Sequence, residues 1–290
     1  MQLSNVERIS HKLFDNAQIK VFIKRDDLIH PIISGNKWRK LKYNIVHAKQ
    51  NGYKQVLSFG GAFSNHIHAL SYACQQQDIE SIGLIRGEVE YKSNFTLSWA
   101  QHWGMKLKFV DRKTYKRRTD QEYLSELQHK YPNAYIVPEG GSNKLALPGV
   151  GEVIEELNKQ LDYDYLMTPV GSGGTIAGLI SADNNQHSII GIAVLKQLEY
   201  IENEITSLLG EDSKDLNNWQ LLHEYHRGGY GKFSKSDEQR IISFSQDVQI
   251  PFEPVYSGKM ILALLDLIKA KHFPKGSRIV LLHTGGIQGL

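Results

Sequence analysis

Three cationic side chains crowd the stretch SGNKWRK, residues 34–40, where the sequence predicts the start of a helix. Lys37, Arg39 and Lys40 lie within four positions of one another, and like charges at this spacing repel. That repulsion, together with the positive end of a helix dipole, disfavours an ammonium group and lowers its pKa. A lysine that forms a Schiff base must spend time as the free amine, so Lys37 is a candidate for that chemistry. An exposed basic helix face is the alternative interpretation.

Two glycine turns, each between a predicted strand and a predicted helix, could hold anions. One contains GGAFSNH, residues 60–66, and the other contains GSGGT, residues 171–175. Glycine lets backbone N–H groups turn inward, and a helix N-terminus adds partial positive charge. The second turn lacks both the lysine of a P-loop and the third glycine of a dinucleotide fingerprint. Its Ser172 and Thr175 add hydroxyl donors, which favours a phosphate held without a metal over a purely structural turn.

A reactive lysine and a metal-free phosphate site together indicate one cofactor. Pyridoxal phosphate carries a phosphate group and forms a Schiff base with a protein amine. The sequence therefore predicts a pyridoxal phosphate site that uses Lys37 and the turn at residues 171–175.

The elements that must position these residues alternate between strands and helices along the chain. Apolar and β-branched runs predict strands at residues 19–24, 55–59, 81–86, 106–110, 134–138, 164–168, 189–195, 219–225 and 278–283. Helical periodicity predicts helices after Gly35, after Ser64 or Asn65, and over residues 144–161, 198–209, 236–248 and 258–271. This alternation is typical of an α/β fold with parallel sheets covered by helices. The stretch PEGGSNKLALPG, residues 138–149, is the most loop-like and is a candidate crossing between two lobes.

Composition narrows the class of protein further. Of 290 residues, 41% are hydrophobic and 22% are charged, and the formal charge is only +3. The densest basic stretch, residues 111–118, is interpreted as solvated surface, so no nucleic-acid partner is expected. Cys74 is the single cysteine, which excludes an intramolecular disulfide, and its place on an apolar helix stripe predicts burial.

No signal-peptide hydrophobic region and no membrane-spanning apolar run is recognised in the sequence. We therefore expect a cytoplasmic protein without a membrane partner. His223 and His226 lie three positions apart at a predicted strand end and would point to opposite faces, so no metal site is expected.

Seven stretches, in this order and spacing, resemble a known enzyme family. They are VFIKRDDL (21–28), SGNKWRKL, GGAFSNH, PEGGSN, GSGGTIAG, EPVYSGKM (253–260) and LLHTGG (281–286). Over nearly the whole chain the sequence resembles the 1-aminocyclopropane-1-carboxylate deaminase and D-cysteine desulfhydrase family. That family lies within the tryptophan-synthase-β-like, fold type II pyridoxal phosphate enzymes. The resemblance implies a two-lobed α/β fold, with residues 1–44 and 146–290 in the larger, cofactor-binding lobe and residues 45–145 in the smaller one. A homodimer is also expected.

The resemblance implies which residues contact the cofactor. Lys37 would bind it covalently and move the proton, and Asn65 would hydrogen-bond its phenolic oxygen. Thr284 would face the pyridine nitrogen, and Ser257 stands where a deaminase is expected to place an acidic partner. The phosphate would be cradled by Gly171, Ser172, Gly173, Gly174 and Thr175.

The resemblance also implies how a substrate is held. Ser64, Asn65 and His66 would receive its carboxylate, and Tyr256 would lie over the reacting carbon. Tyr230, in RGGYG, resembles a second active-site tyrosine. Lys37, Ser64 and Tyr256 are accordingly the predicted catalytic residues.

Departures from the family pattern bear on the substrate. Ser257 and His66 favour the desulfhydrase branch, whereas Phe63 and His68 replace polar and basic residues common there. A neutral hydroxyl at the pyridine nitrogen weakens the electron sink, which suits direct expulsion of a β-substituent. The expected activity is that of a lyase that converts D-cysteine to pyruvate, ammonia and hydrogen sulfide. Ring-opening deamination of 1-aminocyclopropane-1-carboxylate is the alternative, and a non-catalytic carrier of the cofactor is a further one.

Overall fold

Apolar and β-branched runs form the strands of two sheets in the computed structural model, which describes residues 3–287. The strands are β1 (Val6–Ile9), β2 (Lys20–Lys24), β3 (Gln55–Gly61), β4 (Glu80–Arg86), β5 (Lys106–Val110), β6 (Ala134–Val137), β7 (Tyr165–Val170), β8 (Ser188–Ala193), β9 (Trp219–Leu222) and β10 (Arg278–Leu282). The first sheet has the order β1-β2-β10-β7-β8-β9, and the second has the order β5-β4-β3-β6.

Helices follow most of the strands. They are α1 (Lys12–Ala17), α2 (Asn36–Gln50), α3 (Asn65–Gln75), α4 (Phe95–His102), α5 (Arg112–Lys116), α6 (Gln121–Lys130), α7 (Ala146–Gln160), α8 (Gly174–Asp183), α9 (Leu198–Leu209), α10 (Lys235–Val248) and α11 (Ser257–Lys269). None of the helices within residues 3–287 is long and apolar enough to cross a membrane.

Contacts between residues divide the chain into two units. The first unit contains the chain up to His30, the short stretch Ser34–Asn36 and the chain from Val150 onward. The second unit contains Pro31–Ile33 and Lys37–Gly149. Each unit holds one of the two sheets.

The sheet of the first unit is parallel except for the antiparallel pair β1 and β2. Its central strand β7 is buried from Leu166 to Val170, as expected for a parallel strand covered on both faces. Helices α8 and α11 both contact β7 and β8. The carboxyl end of β7 therefore leads into the glycine turn at residues 171–173, at the sheet edge where open parallel sheets bind ligands.

The sheet of the second unit is entirely parallel. Consecutive residues of β3 point to opposite faces, so Val56 joins a cluster that includes Leu70 of α3, whereas Leu57 joins one that includes Leu127 of α6. Cys74 is fully buried in the cluster with Val56, as the sequence predicted. The two units together confirm the α/β class.

Some elements differ from the sequence-based expectation. The strand β1 was not predicted, because only Ile9 of its four residues is buried and the others show no alternating pattern. Helix α7 confirms the helix predicted over residues 144–161, and because it begins at Ala146, residues 146–149 of the loop-like stretch 138–149 are helical. Pro148 made that stretch look irregular, but a proline is tolerated in the first turn of a helix, where its missing N–H has no partner to lose.

The division into units also runs differently from the expected lobes. A boundary after residue 44 would cut α2, which is continuous. Leu41 and Ile45 of α2 pack in the apolar cluster of the second unit, so the contacts assign Lys37 and all that follows it in α2 to that unit. Gly149 also belongs there, because a Cβ on it would lie 2.2 Å from the Arg39 carbonyl oxygen.

Candidate active site

Lys37 lies in the first turn of α2 and is partly exposed. Burial lowers the pKa of its amine to about 8, so a large share of the side chain is neutral in mildly alkaline solution. The expected causes were repulsion by Arg39 and Lys40 and the positive end of the helix dipole, whereas desolvation is the cause in the structure. The outcome for the chemistry is the same, because either cause raises the fraction of the amine that is neutral and can therefore attack a carbonyl carbon or accept a proton.

Lys40, which the sequence grouped with Lys37, has a different environment. It is buried, and its Nζ donates to the Gly140 carbonyl oxygen at 3.2 Å and to Ser142 Oγ at 2.8 Å. Burial, and then the charge of Lys37, lower the pKa of Lys40. Lys40 therefore ties α2 to the turn that precedes α7.

The lowered pKa of Lys37 can be tested in cofactor-free protein by competitive labelling with acetic anhydride. The neutral fraction of the amine rises as the pH passes its pKa, so acetylation of Lys37 should reach half its maximum rate near pH 8. An ordinary lysine would do so near pH ~10.4. Exposed Lys54, quantified in the same digests, controls for reagent decay. A midpoint for Lys37 at or above pH ~10 would contradict this environment.

Helix α3 opens directly after the glycine turn that ends β3. Ser64 is the N-cap, and its Oγ accepts a hydrogen bond from the Ile67 backbone N–H at 3.3 Å. A Cβ on Gly60 would lie 2.4 Å from Ile67 Cγ1 and 2.7 Å from Ser64 Oγ, so only glycine fits against this cap. The cap places Ser64 and Asn65 at a helix N-terminus, where a carboxylate is favoured.

His66 is buried behind that helix N-terminus with a defined tautomer. Its Nε2 lies 2.7 Å from Ser58 Oγ, which itself donates to the Val137 carbonyl oxygen at 2.7 Å. Because the Ser58 proton is used toward Val137, His66 Nε2 must carry the proton and donate it. Burial and the charges of Lys37 and Lys40 lower the pKa of His66, so the ring is neutral. Its Nδ1 is a buried acceptor without a hydrogen-bond partner among the described residues.

The two departures from the family pattern in this region lie in aromatic surroundings. Phe63 is 66% exposed, and its ring meets that of Tyr91 edge to face at 5.9 Å. His68 is buried, with its ring 4.7 Å from that of Trp103, and burial lowers its pKa to about 4. His68 is thus a neutral packing residue, whereas Phe63 is an exposed apolar side chain next to Ser64.

In the first unit, the predicted phosphate loop joins β7 to α8. Gly173 is the N-cap of α8 in a left-handed conformation, with φ of 77°, and no side chain caps this helix. Thr175 is buried, and its Oγ1 accepts a hydrogen bond from Asn36 Nδ2 at 2.8 Å. An uncapped N-terminus, glycines that expose the backbone and nearby hydroxyls suit a phosphate group. These residues therefore fit the phosphate of pyridoxal phosphate.

Two predicted tyrosines lie beside that loop. A Cβ on Gly171 would lie 3.2 Å from Tyr256 Cε1, so the ring of Tyr256 packs against the glycine backbone. The ring of Tyr230 meets that of Tyr256 nearly perpendicularly, with 5.9 Å between the centroids. The first unit thus brings the phosphate loop, Tyr256 and Tyr230 together.

Ser257 opens α11 and is hydrogen-bonded to the carboxylate of Glu253, a residue that was not among the predicted site residues. Its Oγ lies 3.2 Å from the carbonyl oxygen and 3.1 Å from Oε1 of Glu253. The Glu253 carboxylate also accepts backbone N–H groups of Val255, Tyr256 and Ser257 at 2.7, 2.9 and 2.5 Å. Burial raises the pKa of Glu253 to about 7, and these hydrogen bonds oppose the rise. The Glu253 side chain thus caps the start of α11. In the sequence, this contact is indicated only by an acidic residue four positions before Ser257.

Thr284 follows β10 and packs against the stretch Ser34–Asn36. Its carbonyl oxygen accepts a hydrogen bond from the Asn36 backbone N–H at 3.3 Å. A Cβ on Gly35 would lie only 1.9 Å from the same oxygen, and Gly35 has a φ of 66°. The backbone before Lys37 is therefore fixed against the residues that follow β10. The side chain of Asn36 also connects this backbone to Thr175 by a hydrogen bond.

Each unit gathers its own share of the predicted site residues. The first contains residues 171–175, Tyr230, Tyr256, Ser257 and Thr284, and the second contains Lys37, Ser64, Asn65 and His66. Lys37 follows Asn36 directly in the chain. The individual roles given to these residues stay predictions. Among the described residues, no group of three or more His, Cys, Asp and Glu side chains is arranged to hold a metal ion.

Comparisons with known proteins agree with these features. The family described as pyridoxal-phosphate dependent enzyme matches residues 6–285. A protein of Pyrococcus abyssi, provisionally named 1-aminocyclopropane-1-carboxylate deaminase, is 30% identical over 98% of this chain and 88% of its own length. A D-cysteine desulfhydrase of Klebsiella pneumoniae is 26% identical over 96% of this chain and 90% of its own length. The crystal structure of an ACC deaminase homologue superimposes with a TM-score of 0.85 at 27% identity, covering 100% of this chain and 91% of that one.

Proposed function

The chain belongs to the pyridoxal-phosphate-dependent enzymes and has the fold type II architecture that its family resemblance implied. On that premise, we propose that it eliminates the β-substituent of a small amino acid. D-Cysteine is the proposed substrate, and pyruvate, ammonia and hydrogen sulfide are the products. The homodimer and the cytoplasmic location stay predictions beside this proposal.

The residues of the chain divide the work of holding the cofactor. The backbone N–H groups at residues 171–175 would bind its phosphate, and the amine of Lys37 would bind the cofactor covalently. Pyridoxal phosphate, when bound, supplies an electron sink that makes the Cα–H bond of an amino acid acidic.

The chain must then hold the substrate and move a proton. The N-terminus of α3, with Ser64 and Asn65, binds the substrate carboxylate, because both the helix dipole and the N–H groups favour an anion there. The substrate amine would displace Lys37 from the cofactor, and the freed amine of Lys37, whose pKa is about 8, would then accept the proton from Cα. Tyr256 and Tyr230 lie close enough to each other to bound the same side of a small substrate.

The environment of Ser257 is the observation that favours D-cysteine as the substrate. Ser257 is fully buried and bonded to Glu253, whose carboxylate is already engaged by three backbone N–H groups. A hydroxyl rather than a carboxylate thus stands at the position where the family pattern places the acidic partner of the pyridine nitrogen. A weaker electron sink favours direct loss of a good leaving group, such as a thiol, over a long-lived carbanion. The Klebsiella pneumoniae relative named D-cysteine desulfhydrase supports the same choice.

The test is a panel of D- and L-amino acids and 1-aminocyclopropane-1-carboxylate, with keto acid and sulfide measured in the same reactions. D-Cysteine should give the highest kcat/KM, and sulfide and pyruvate should form in equal amounts because one elimination releases both. L-Cysteine controls for stereochemistry, and D-serine tests the need for a thiol leaving group.

Ring-opening deamination of 1-aminocyclopropane-1-carboxylate is the second candidate. The Pyrococcus abyssi relative, at 30% identity, carries that provisional name. This activity would release a keto acid and ammonia without sulfide. Robust turnover of the cyclopropane substrate, with no sulfide from either cysteine enantiomer, would replace D-cysteine elimination by this function.

A further inference from the structure

Lys259 is a buried cation in α11 that the predicted chemistry does not use. The residue is 0% exposed, and its Nζ donates to three backbone carbonyl oxygens. They belong to Val194 at 3.2 Å, His226 at 2.9 Å and Gly229 at 2.8 Å. An ammonium group has three donors, so every one of them is matched by an acceptor.

Two of these three acceptors lie on one short segment, residues 226–231, which contains three glycines. Gly228 and Gly229 have φ of 96° and 119°, conformations that an L side chain rarely adopts. Turn hydrogen bonds from the Gly229 N–H to the His226 carbonyl oxygen and from the Lys232 N–H to the Gly229 carbonyl oxygen shape this backbone locally. Its position relative to α11 depends on groups outside the segment. The Nζ of Lys259 is such a group, and Arg227, whose guanidinium lies 3.0 Å from Asp266 Oδ2, attaches the same segment to α11 a second time.

The segment carries Tyr230, and α11 begins directly after Tyr256. The two rings meet at 5.9 Å, so the separation of the segment from α11 sets the distance between them. Lys259 lies one helical turn after Tyr256 on α11 and binds the residue before Tyr230 on the segment. The same side chain therefore bridges the backbones that carry the two rings.

We propose that Lys259 is a positioning residue, whose ammonium group ties residues 226–229 to α11 and thereby holds Tyr230 against Tyr256. The effect on turnover rests on the proposed function, because it requires that the two tyrosines act on the substrate. The effect on the segment itself does not. An apolar side chain of similar length would take one donor from each of the three carbonyl oxygens. The His226 and Gly229 oxygens would keep the N–H groups of Gly229 and Lys232 within the turn, but the link from these residues to α11 through residue 259 would be lost.

The first test is amide hydrogen exchange of Lys259→Met in the cofactor-loaded enzyme at pH 7. That pH lies below the value of about 8 to which burial lowers the pKa of Lys259, so the wild-type side chain is charged. Peptides covering residues 226–232 should exchange at least tenfold faster in the variant, because the Gly229 N–H lies in the released segment and the Lys232 N–H donates to the segment's Gly229 carbonyl oxygen. Lys269→Met, at the exposed end of the same helix, is the matched control and should exchange like wild type.

The second test is a double-mutant cycle with Tyr230→Phe, read in kcat and KM. Lys259→Met should lower kcat/KM at least tenfold in the wild-type background and less than threefold in the Tyr230→Phe background. A general loss of structure would lower both backgrounds equally. The cofactor absorbance should be retained in both, because the phosphate loop is not changed.

Unchanged exchange over residues 226–232 in Lys259→Met overturns the proposal, as does an equal loss of kcat/KM in the two backgrounds. If the wild-type protein turns over no amino acid, the proposed function fails, and the exchange measurement alone then decides the role of Lys259. The two failures are therefore distinguishable.

Discussion

Replacing Lys37 with alanine is expected to lower kcat by roughly 10³-fold or more, because the variant loses both the amine that binds the cofactor and the group that accepts the proton. The cofactor phosphate should still bind, since the loop at residues 171–175 is unchanged. Phosphate binding without the covalent link would be seen as cofactor that gel filtration or dialysis removes. Lys49→Ala, at the exposed end of the same helix, is the control and should keep wild-type turnover.

Borohydride reduction distinguishes a variant that has lost the covalent link at Lys37 from one that is inactive because it has misfolded. In the wild-type protein, the reduced cofactor should be found by mass spectrometry on the peptide that contains Lys37. In Lys37→Ala, no peptide should carry it. Covalent cofactor on another lysine, together with substantial turnover by Lys37→Ala, would show that the predicted catalytic lysine is a different one.

The second large effect is expected for Gly35→Ala, which should lower the free energy of unfolding by about 3 kcal/mol or more. The new Cβ would lie 1.9 Å from the Thr284 carbonyl oxygen and 2.5 Å from the Gly285 nitrogen, both of them backbone atoms. Neither can move without displacing the end of β10. Gly35 also has a φ of 66°, which adds a conformational cost for alanine.

The chain offers a control that separates these two costs. Gly52 has a φ of 73° but nothing within 4 Å of a Cβ, so Gly52→Ala bears the conformational cost alone, about 1 kcal/mol. Urea denaturation of the two variants should show the difference. Equal destabilisation of Gly35→Ala and Gly52→Ala would mean that the stretch before Lys37 is not held against Thr284 as described.

Local sequence patterns predicted most of the strands and helices of the fold. Each of the nine predicted strands overlaps an observed one, because buried parallel strands are short apolar runs that stand out between polar helix faces. The four-residue β1 was missed because it is an edge strand with one buried residue. The start of α7 lies within two residues of the predicted start at residue 144, although Pro148 and Gly149 also indicate a loop when the contacts of the helix are not known.

The candidate site was less predictable wherever its residues act through distant partners. The motif around Lys37 indicated a lowered pKa, but burial, which causes it, depends on packing that spacing cannot show. Ser58 fixes the tautomer of His66 only because the carbonyl oxygen of Val137, far away in the chain, accepts the hydrogen bond that the Ser58 hydroxyl donates. Nothing in the sequence YSGK distinguishes Lys259 from an exposed lysine, because its three carbonyl acceptors belong to residues that are distant in the chain.

Because the single cysteine is buried, its reactivity can be used to follow local unfolding of the second unit alone. Cys74 is 0% exposed within α3, and burial raises the pKa of its thiol to about 12. Disulfide reagents attack a thiolate that they can reach, and the folded protein offers neither access nor thiolate. A chromogenic disulfide can therefore modify only those molecules in which the core of the second unit has opened. The rate of this one-site reaction reports local unfolding of that unit, in the natural sequence and without an engineered label.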